Sequence, residues 1–263
     1  MSDLAALFAK CKSENRAALI GYLPAGFPNQ EASIEIIKAM IEGGVDAVEI
    51  GFPYSDPVMD GLIIQEAGEL ARSNGITMAK TLEIVKEVSA TGTPTLVMTY
   101  WNPIEKYGVE KFGSDFSTNG MQGVITPDLP IEEAVGWLAT AKNNSINSIF
   151  VVAPSSSDER LKQVVDNCSG FIYAASMMGV TGTQTSVAST ASVLVERIRK
   201  ISNTPVAVGL GVSNGSQAAE VAKYADGVIV GSAFVKAVLQ NPDNPTEAVR
   251  NIARELALGV RAN

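Results

Sequence analysis

The sequence predicts a single (β/α)8 (TIM) barrel with an additional N-terminal helix, and three observations lead to that fold class. Eight apolar, β-branched runs recur along the chain with helix-period segments between them. The runs are nearly continuous hydrophobic stretches, the pattern of parallel strands buried on both faces. The alternation spans residues 1–263 with no Pro/Ser linker or shift in composition, so the chain reads as one domain. A doubly wound sheet is the alternative. It normally carries Gly-x-Gly-x-x-Gly after its first strand, whereas this first strand ends in Tyr22-Leu23-Pro24-Ala25-Gly26.

The elements follow in order. Leu4, Leu7, Phe8 and Cys11 recur at helical spacing and predict a packing helix ahead of the first strand. Strands are predicted at 18–22, 47–52, 95–100, 123–126, 149–153, 171–175, 205–210 and 227–230. Helix-period segments lie between them at 31–42, 80–90, 131–142, 158–166, 192–201 and 216–223. Ser157 before Asp158-Glu159 marks one of the helix starts. Two units echo each other: Val45-Asp46-Ala47-Val48-Glu49-Ile50-Gly51 resembles Ala225-Asp226-Gly227-Val228-Ile229-Val230-Gly231, with Glu49 standing where the later copy has Ile229.

Composition narrows the function. An apolar fraction of 46% over 263 residues supports a large core without staples. Net charge is −8 and the lysines and arginines are dispersed along the chain, which argues against nucleic acid and membrane partners. Cys11 and Cys168 are isolated, without the paired spacing of a disulfide framework or a zinc site, so no metal is expected and both read as small buried hydrophobes. The N-terminus has no basic region followed by a long apolar stretch, and a cytoplasmic protein is expected.

Candidate chemistry concentrates where strands hand over to loops, because a barrel of this kind builds its site at the carboxyl ends of the strands. The segment Val48-Glu49-Ile50-Gly51-Phe52-Pro53-Tyr54-Ser55-Asp56-Pro57-Val58-Met59-Asp60-Gly61 sets Glu49 inside an apolar strand and two further acids in a Pro/Gly loop. Burying an unpaired carboxylate is costly, and the chain has no histidine to do acid/base work instead. Glu49 and Asp60 are therefore the leading candidates. Other strand ends carry Tyr22, Tyr100 with Asn102, Asp128 and Tyr173. Ordinary aromatic packing is an open alternative for the three tyrosines, as is loop capping for Asp56 in its Ser-Asp-Pro turn. No strand end carries a lysine, so a Schiff-base mechanism has no nucleophile.

Gly209-Leu210-Gly211 closes the seventh strand and Gly231-Ser232 the eighth, the two loops that most often hold phosphate in this fold. Glycine admits close backbone approach, and a helix starting near Ala233 directs N–H groups at an anion. A phosphorylated substrate is expected. Residues 177–190, with Gly179-Val180-Thr181-Gly182, read as a lid, the alternative being a plain surface excursion. Gly182 would add an N–H to the phosphate site, and Thr181 would reach a catalytic carboxylate on closure.

Taken together, Glu49, the Pro53-Tyr54-Ser55-Asp56-Pro57 turn, Asp60-Gly61, Asn102-Pro103, Asp128-Leu129-Pro130, Gly179-Val180-Thr181-Gly182, Gly209-Leu210-Gly211 and Gly231-Ser232 resemble the tryptophan synthase alpha subunit family over nearly the whole chain. The resemblance implies a barrel that cleaves indole-3-glycerol phosphate to indole and glyceraldehyde 3-phosphate. It also implies a beta-subunit partner in an alpha2beta2 heterotetramer, with pyridoxal phosphate in the partner and no cofactor in this chain. Glu49 would be the general acid/base, and Asp60 would accept the indole N–H. Tyr22, Tyr100 and Leu129 would line the indole pocket, Tyr173 and Thr181 would contact substrate, and Gly182, Gly211, Gly231 and Ser232 would hold phosphate. Asp128 and Asn102 would hold loops that face the beta subunit. Met59, Leu62 and Tyr22 depart from residues frequent in the family and bear on the shape of the indole pocket. A phosphosugar isomerase on the same barrel and a weakly active subunit that mainly activates its partner are the competing readings.

Overall fold

Eight parallel strands close into a barrel in the computed structural model, which describes residues 4–175, 184–209 and 211–262. The strands are β1 (Ala18–Pro24), β2 (Ala47–Gly51), β3 (Thr95–Met98), β4 (Met121–Thr126), β5 (Asn147–Val152), β6 (Ile172–Ala175), β7 (Val206–Gly209) and β8 (Gly227–Val230). They pair in chain order, and β8 returns to β1 with Ala18 opposite Gly227.

Twelve helices accompany them among the described residues. They are α1 (Leu4–Ser13), α2 (Gln30–Glu42), α3 (Leu62–Ser73), α4 (Met78–Ser89), α5 (Trp101–Tyr107), α6 (Val109–Thr118), α7 (Val135–Asn143), α8 (Asp158–Val165), α9 (Gln184–Arg199), α10 (Gly215–Ala222), α11 (Ser232–Gln240) and α12 (Pro245–Val260). All eight predicted strands and the N-terminal helix are present. Asn29, Thr77, Ser157 and Asn214 start α2, α4, α8 and α10 by accepting a first-turn N–H on the side chain.

The expected lid, 177–190, is described only in its second half, where the loop reading is replaced by helix. Residues 176–183, which include Thr181 and Gly182, lie outside the described residues, and from Gln184 onward the span is helix α9. Its first turns are made of Ser, Thr, Ala and Val, whose helical period is faint. Further along, Ala191, Leu194, Val195 and Ile198 recur on one buried face and carry the helix.

The core has two layers, and strand alternation creates them. Leu19, Leu23, Val48, Ile50, Val97 and Val124 point outward and pack against helix residues such as Ile36, Met40, Val85, Phe112 and Trp137. Ala18, Ile20, Ala47, Leu96, Ile125, Ile149, Phe171, Ala207 and Ile229 point inward. Helix α1 closes the amino-terminal mouth with Leu4, Leu7, Phe8 and Cys11, Phe8 meeting Phe171 at 5.7 Å between ring centroids. Cys11 is buried and Cys168 partly so; both are free, with their thiols pushed up to about 11 and about 12, chiefly by burial.

The echoed units share a structural role. Asp46 accepts the Leu19 N–H at 2.9 Å, and Asp226 accepts the Val206 N–H at 2.9 Å. Each therefore ties the start of its own strand to the neighbouring one.

Candidate active site

Alternation also decides which side chains reach the carboxyl-terminal mouth. On β2, Ala47 faces the barrel interior, so Glu49 two residues on faces inward as well. On β1 the inward series Ala18 and Ile20 continues to Tyr22, which stands in register with Glu49. Tyr173 on β6 packs against the same interior cluster. The apolar layers below thus give way to a polar layer formed by Tyr22, Glu49 and Tyr173.

Glu49 is 1% exposed, and its Oε2 has no hydrogen-bond partner among the described residues. Burial, aided by the nearby Asp60 carboxylate, pushes its pKa up to about 8. Burial raises the Asp60 pKa too, with the Tyr100 hydroxyl opposing that rise. Tyr22 and Tyr173 are raised well above the usual tyrosine value, by burial first and then by the two acids. This mouth is short of counter-charge among the described residues, and its acids hold protons unusually tightly.

Asp60 sits on a mostly exposed loop, and Tyr100 holds it there. The Tyr100 hydroxyl accepts the Met59 N–H at 2.9 Å and lies 3.4 Å from Asp60 Oδ2. Tyr54 packs on Tyr100 at 5.2 Å between centroids, and Asn102 Nδ2 donates to the Tyr54 hydroxyl at 2.7 Å. Tyr54 is a supporting residue that the sequence reading passed over. Its only signal was an aromatic side chain inside the Pro53-to-Pro57 turn. Asp128 accepts the Trp101 N–H at 2.8 Å and so fixes the start of α5. Asp56 is exposed and accepts the Ser55 hydroxyl, which fits loop capping.

Tyr22 needs its glycine neighbours. A Cβ on Gly51 would fall inside van der Waals contact of the Tyr22 hydroxyl, and one on Gly231 would lie 3.0 Å from Tyr22 Cδ1. The ring therefore extends from the end of β8 to the end of β2. Gly211 adopts φ +70°, a backbone region that other residues rarely enter. Ser232 opens α11 after Gly231, so the first N–H groups of that helix lack intrahelical acceptors and face the end of β8. Leu129 is 5% exposed and belongs to the layer between sheet and helices, not to the interior cluster. Leu210, Thr181 and Gly182 lie outside the described residues.

Among the described residues no group of three His, Cys, Asp or Glu could hold a metal. An inward acid with a pKa near neutrality, a second acid beside it on a loop, and exposed helix N–H groups across the mouth suit proton transfer on a substrate that carries an anion.

Comparisons with known proteins identify the family and the fold. The family described as "Tryptophan synthase alpha chain" matches residues 8–260. The tryptophan synthase alpha chain of Thermobifida fusca is 53% identical, covering 100% of this chain and 99% of that one. The one from Streptomyces coelicolor is 54% identical over 96% of this chain and 94% of that one. Among solved structures, tryptophan synthase from M. tuberculosis superposes with a TM-score of 0.91 at 45% identity, covering 99% of this chain and 100% of that one. Tryptophan synthase subunit alpha from Legionella pneumophila gives 0.91 at 28% identity with full coverage of both chains.

Proposed function

Because the chain belongs to the tryptophan synthase alpha chain family, we propose that Glu49 and Asp60 divide the work of its reaction. That reaction is the lyase cleavage of indole-3-glycerol phosphate to indole and glyceraldehyde 3-phosphate. The observation that carries the division of labour is the buried Glu49 with a pKa near 8, beside a second acid on a loop.

Cleavage breaks the bond between indole C3 and the glycerol chain. A proton must first reach C3, which makes the ring an electron sink. Protonated at neutral pH, Glu49 is suited to deliver it. As the carbon–carbon bond breaks, its electron pair restores the aromatic ring, and the adjacent hydroxyl loses its proton to Glu49 as the aldehyde forms. Asp60 accepts the indole N–H and stabilises the positive charge that grows on the ring. The ring serves as its own sink, so this chain's step calls for no cofactor, and pyridoxal phosphate belongs to the partner.

Tyr22, Tyr100 and Leu129 are proposed to bound the indole pocket and Tyr173 to contact the glycerol. Gly211, Gly231 and Ser232, with Gly182, would hold the phosphate and Thr181 would approach the acids. Support comes from the inward positions of Tyr22 and Tyr173 and from the helix N–H groups at Ser232.

Family membership implies a beta-subunit partner, and an alpha2beta2 assembly is proposed. Val58, Leu62 and Val135 are 78%, 85% and 72% exposed on or beside the segments that hold Asp60 and Asp128, apolar surface that favours docking there. No helix among the described residues is long and apolar enough to cross a membrane, and a cytoplasmic location is proposed.

Incubating the purified chain with indole-3-glycerol phosphate, alone and with a beta subunit, tests the reading. Indole release that disappears in Glu49→Gln is expected. Release that survives in that variant would remove Glu49 from the chemistry, and activation of the partner without cleavage would favour a regulatory subunit.

A further inference from the structure

We propose that the amino-terminal mouth of the barrel carries a second anion site, a cleft that takes a small phosphorylated molecule, separate from the cradle at β7 and β8. The cleft measures about 490 Å³ and lies between α1, the end of α9 and the turn from α10 into β8. That volume is in the range of small-molecule sites. Lys12, Arg16, Arg199 and Lys223 line it, with Asp226 as the one carboxylate and Tyr224 as an aromatic wall. The chain as a whole carries a net charge of −8, and these four cations are spread from residue 12 to residue 223. Folding gathers them.

Their availability differs. Arg16 is committed: its guanidinium holds Asp46 at 2.8 and 3.0 Å and its side chain is 6% exposed, so it supplies field and no contact. Lys12 is exposed and has no ion pair among the described residues. Arg199 and Lys223 hold partly exposed carboxylates, Asp226 at 3.2 Å and Glu220 at 2.6 Å. Pairs of that kind are weak in water and exchange readily for a phosphate, to which a guanidinium donates through two parallel N–H groups. The Tyr224 ring lines the cleft, and its hydroxyl is buried without a hydrogen-bond partner among the described residues. Three movable cations around one cleft suit a multivalent oxyanion better than a single carboxylate. Phe8, Ala222 and Ala225 supply an apolar floor for the organic part of the ligand.

Inorganic pyrophosphate is the probe. The full chain is first saturated with a non-cleavable analogue of indole-3-glycerol phosphate, which occupies the carboxyl-terminal mouth. Pyrophosphate is then titrated by calorimetry at low ionic strength, where screening is least. One remaining pyrophosphate site is expected, weakened at least about tenfold in the double variant Lys12→Glu/Lys223→Glu. Both lysines are exposed, and equal thermal midpoints of variant and parent show that the loss is not unfolding. A milder pair, Lys12→Gln/Lys223→Gln, should weaken binding to an intermediate degree. A saturated chain that takes no pyrophosphate overturns the proposal, as does a charge-reversed variant that binds as tightly as its parent.

Discussion

Glu49 and Tyr22 meet in register on adjacent strands, and the physics of this pair sets the sharpest tests at the residue scale. Glu49→Gln keeps the shape and removes the titration. Turnover should fall at least about a hundredfold while substrate binding is largely kept, as kcat and KM measured separately will show. If protonated Glu49 starts the reaction, cleavage by the parent chain should also decline as pH rises through about 8. Stability carries the same signature. A folded-state pKa of about 8, against an ordinary value of 4.5, means that protonated Glu49 contributes stability complete below pH 4.5 and lost as pH rises through 8. Scanning calorimetry of the ligand-free proteins should give Glu49→Gln a Tm advantage of at least about 3 °C at pH 9, shrinking toward pH 5. Gly51→Ala tests the neighbour. Its new methyl must displace the Tyr22 ring, so substrate affinity should fall by roughly tenfold or more, the worth of one mispositioned pocket contact. An unchanged KM would show that the ring does not shape the pocket.

At the scale of elements, the loop that carries Asp60 is held by Tyr100, the residue that caps α5. Tyr100→Phe removes the acceptor for the Met59 N–H and the donor to Asp60 together. A drop of about tenfold in kcat/KM is expected, with Tm changed by only a few degrees, since one hydrogen bond is worth about 1 kcal/mol. Activity equal to the parent would place the control of Asp60 elsewhere. The strands are legible because burial on both faces writes them as plain apolar runs, and Glu49 is legible as an acid set inside one of them. Other elements left weaker marks. Helix α5 has only seven residues and carries Pro103 near its start, and α9 begins in small polar residues, so neither announces itself by period. The tether from Asn102 to Tyr54 to Tyr100 was hidden for a different reason. It joins the loop after β2 to the start of α5, and a pairing of that kind has no periodicity to reveal it.

For the whole molecule, if ligand and partner act on the same mouth as proposed, their affinities should be linked. A substrate analogue in the barrel is expected to tighten beta-subunit binding by roughly 5- to 150-fold, and the beta subunit should tighten the analogue by the same factor. Titrating a labelled beta subunit with and without the analogue reads this, and identical affinities would remove the coupling. Closure of the ring has a consequence in time. Strand β1 finds its second neighbour only in β8, whose first paired residue, Gly227, is made long after Ala18. At 5–20 residues per second, the edge of β1 waits roughly 10 to 40 s on the ribosome before that neighbour exists. Until then Glu49 is not sealed inside a barrel, and the burial that raises its pKa is incomplete. The nascent chain is therefore an ordinary acidic polypeptide with open sheet edges, exposed to aggregation, and the raised proton affinity of Glu49 arrives with the last strand.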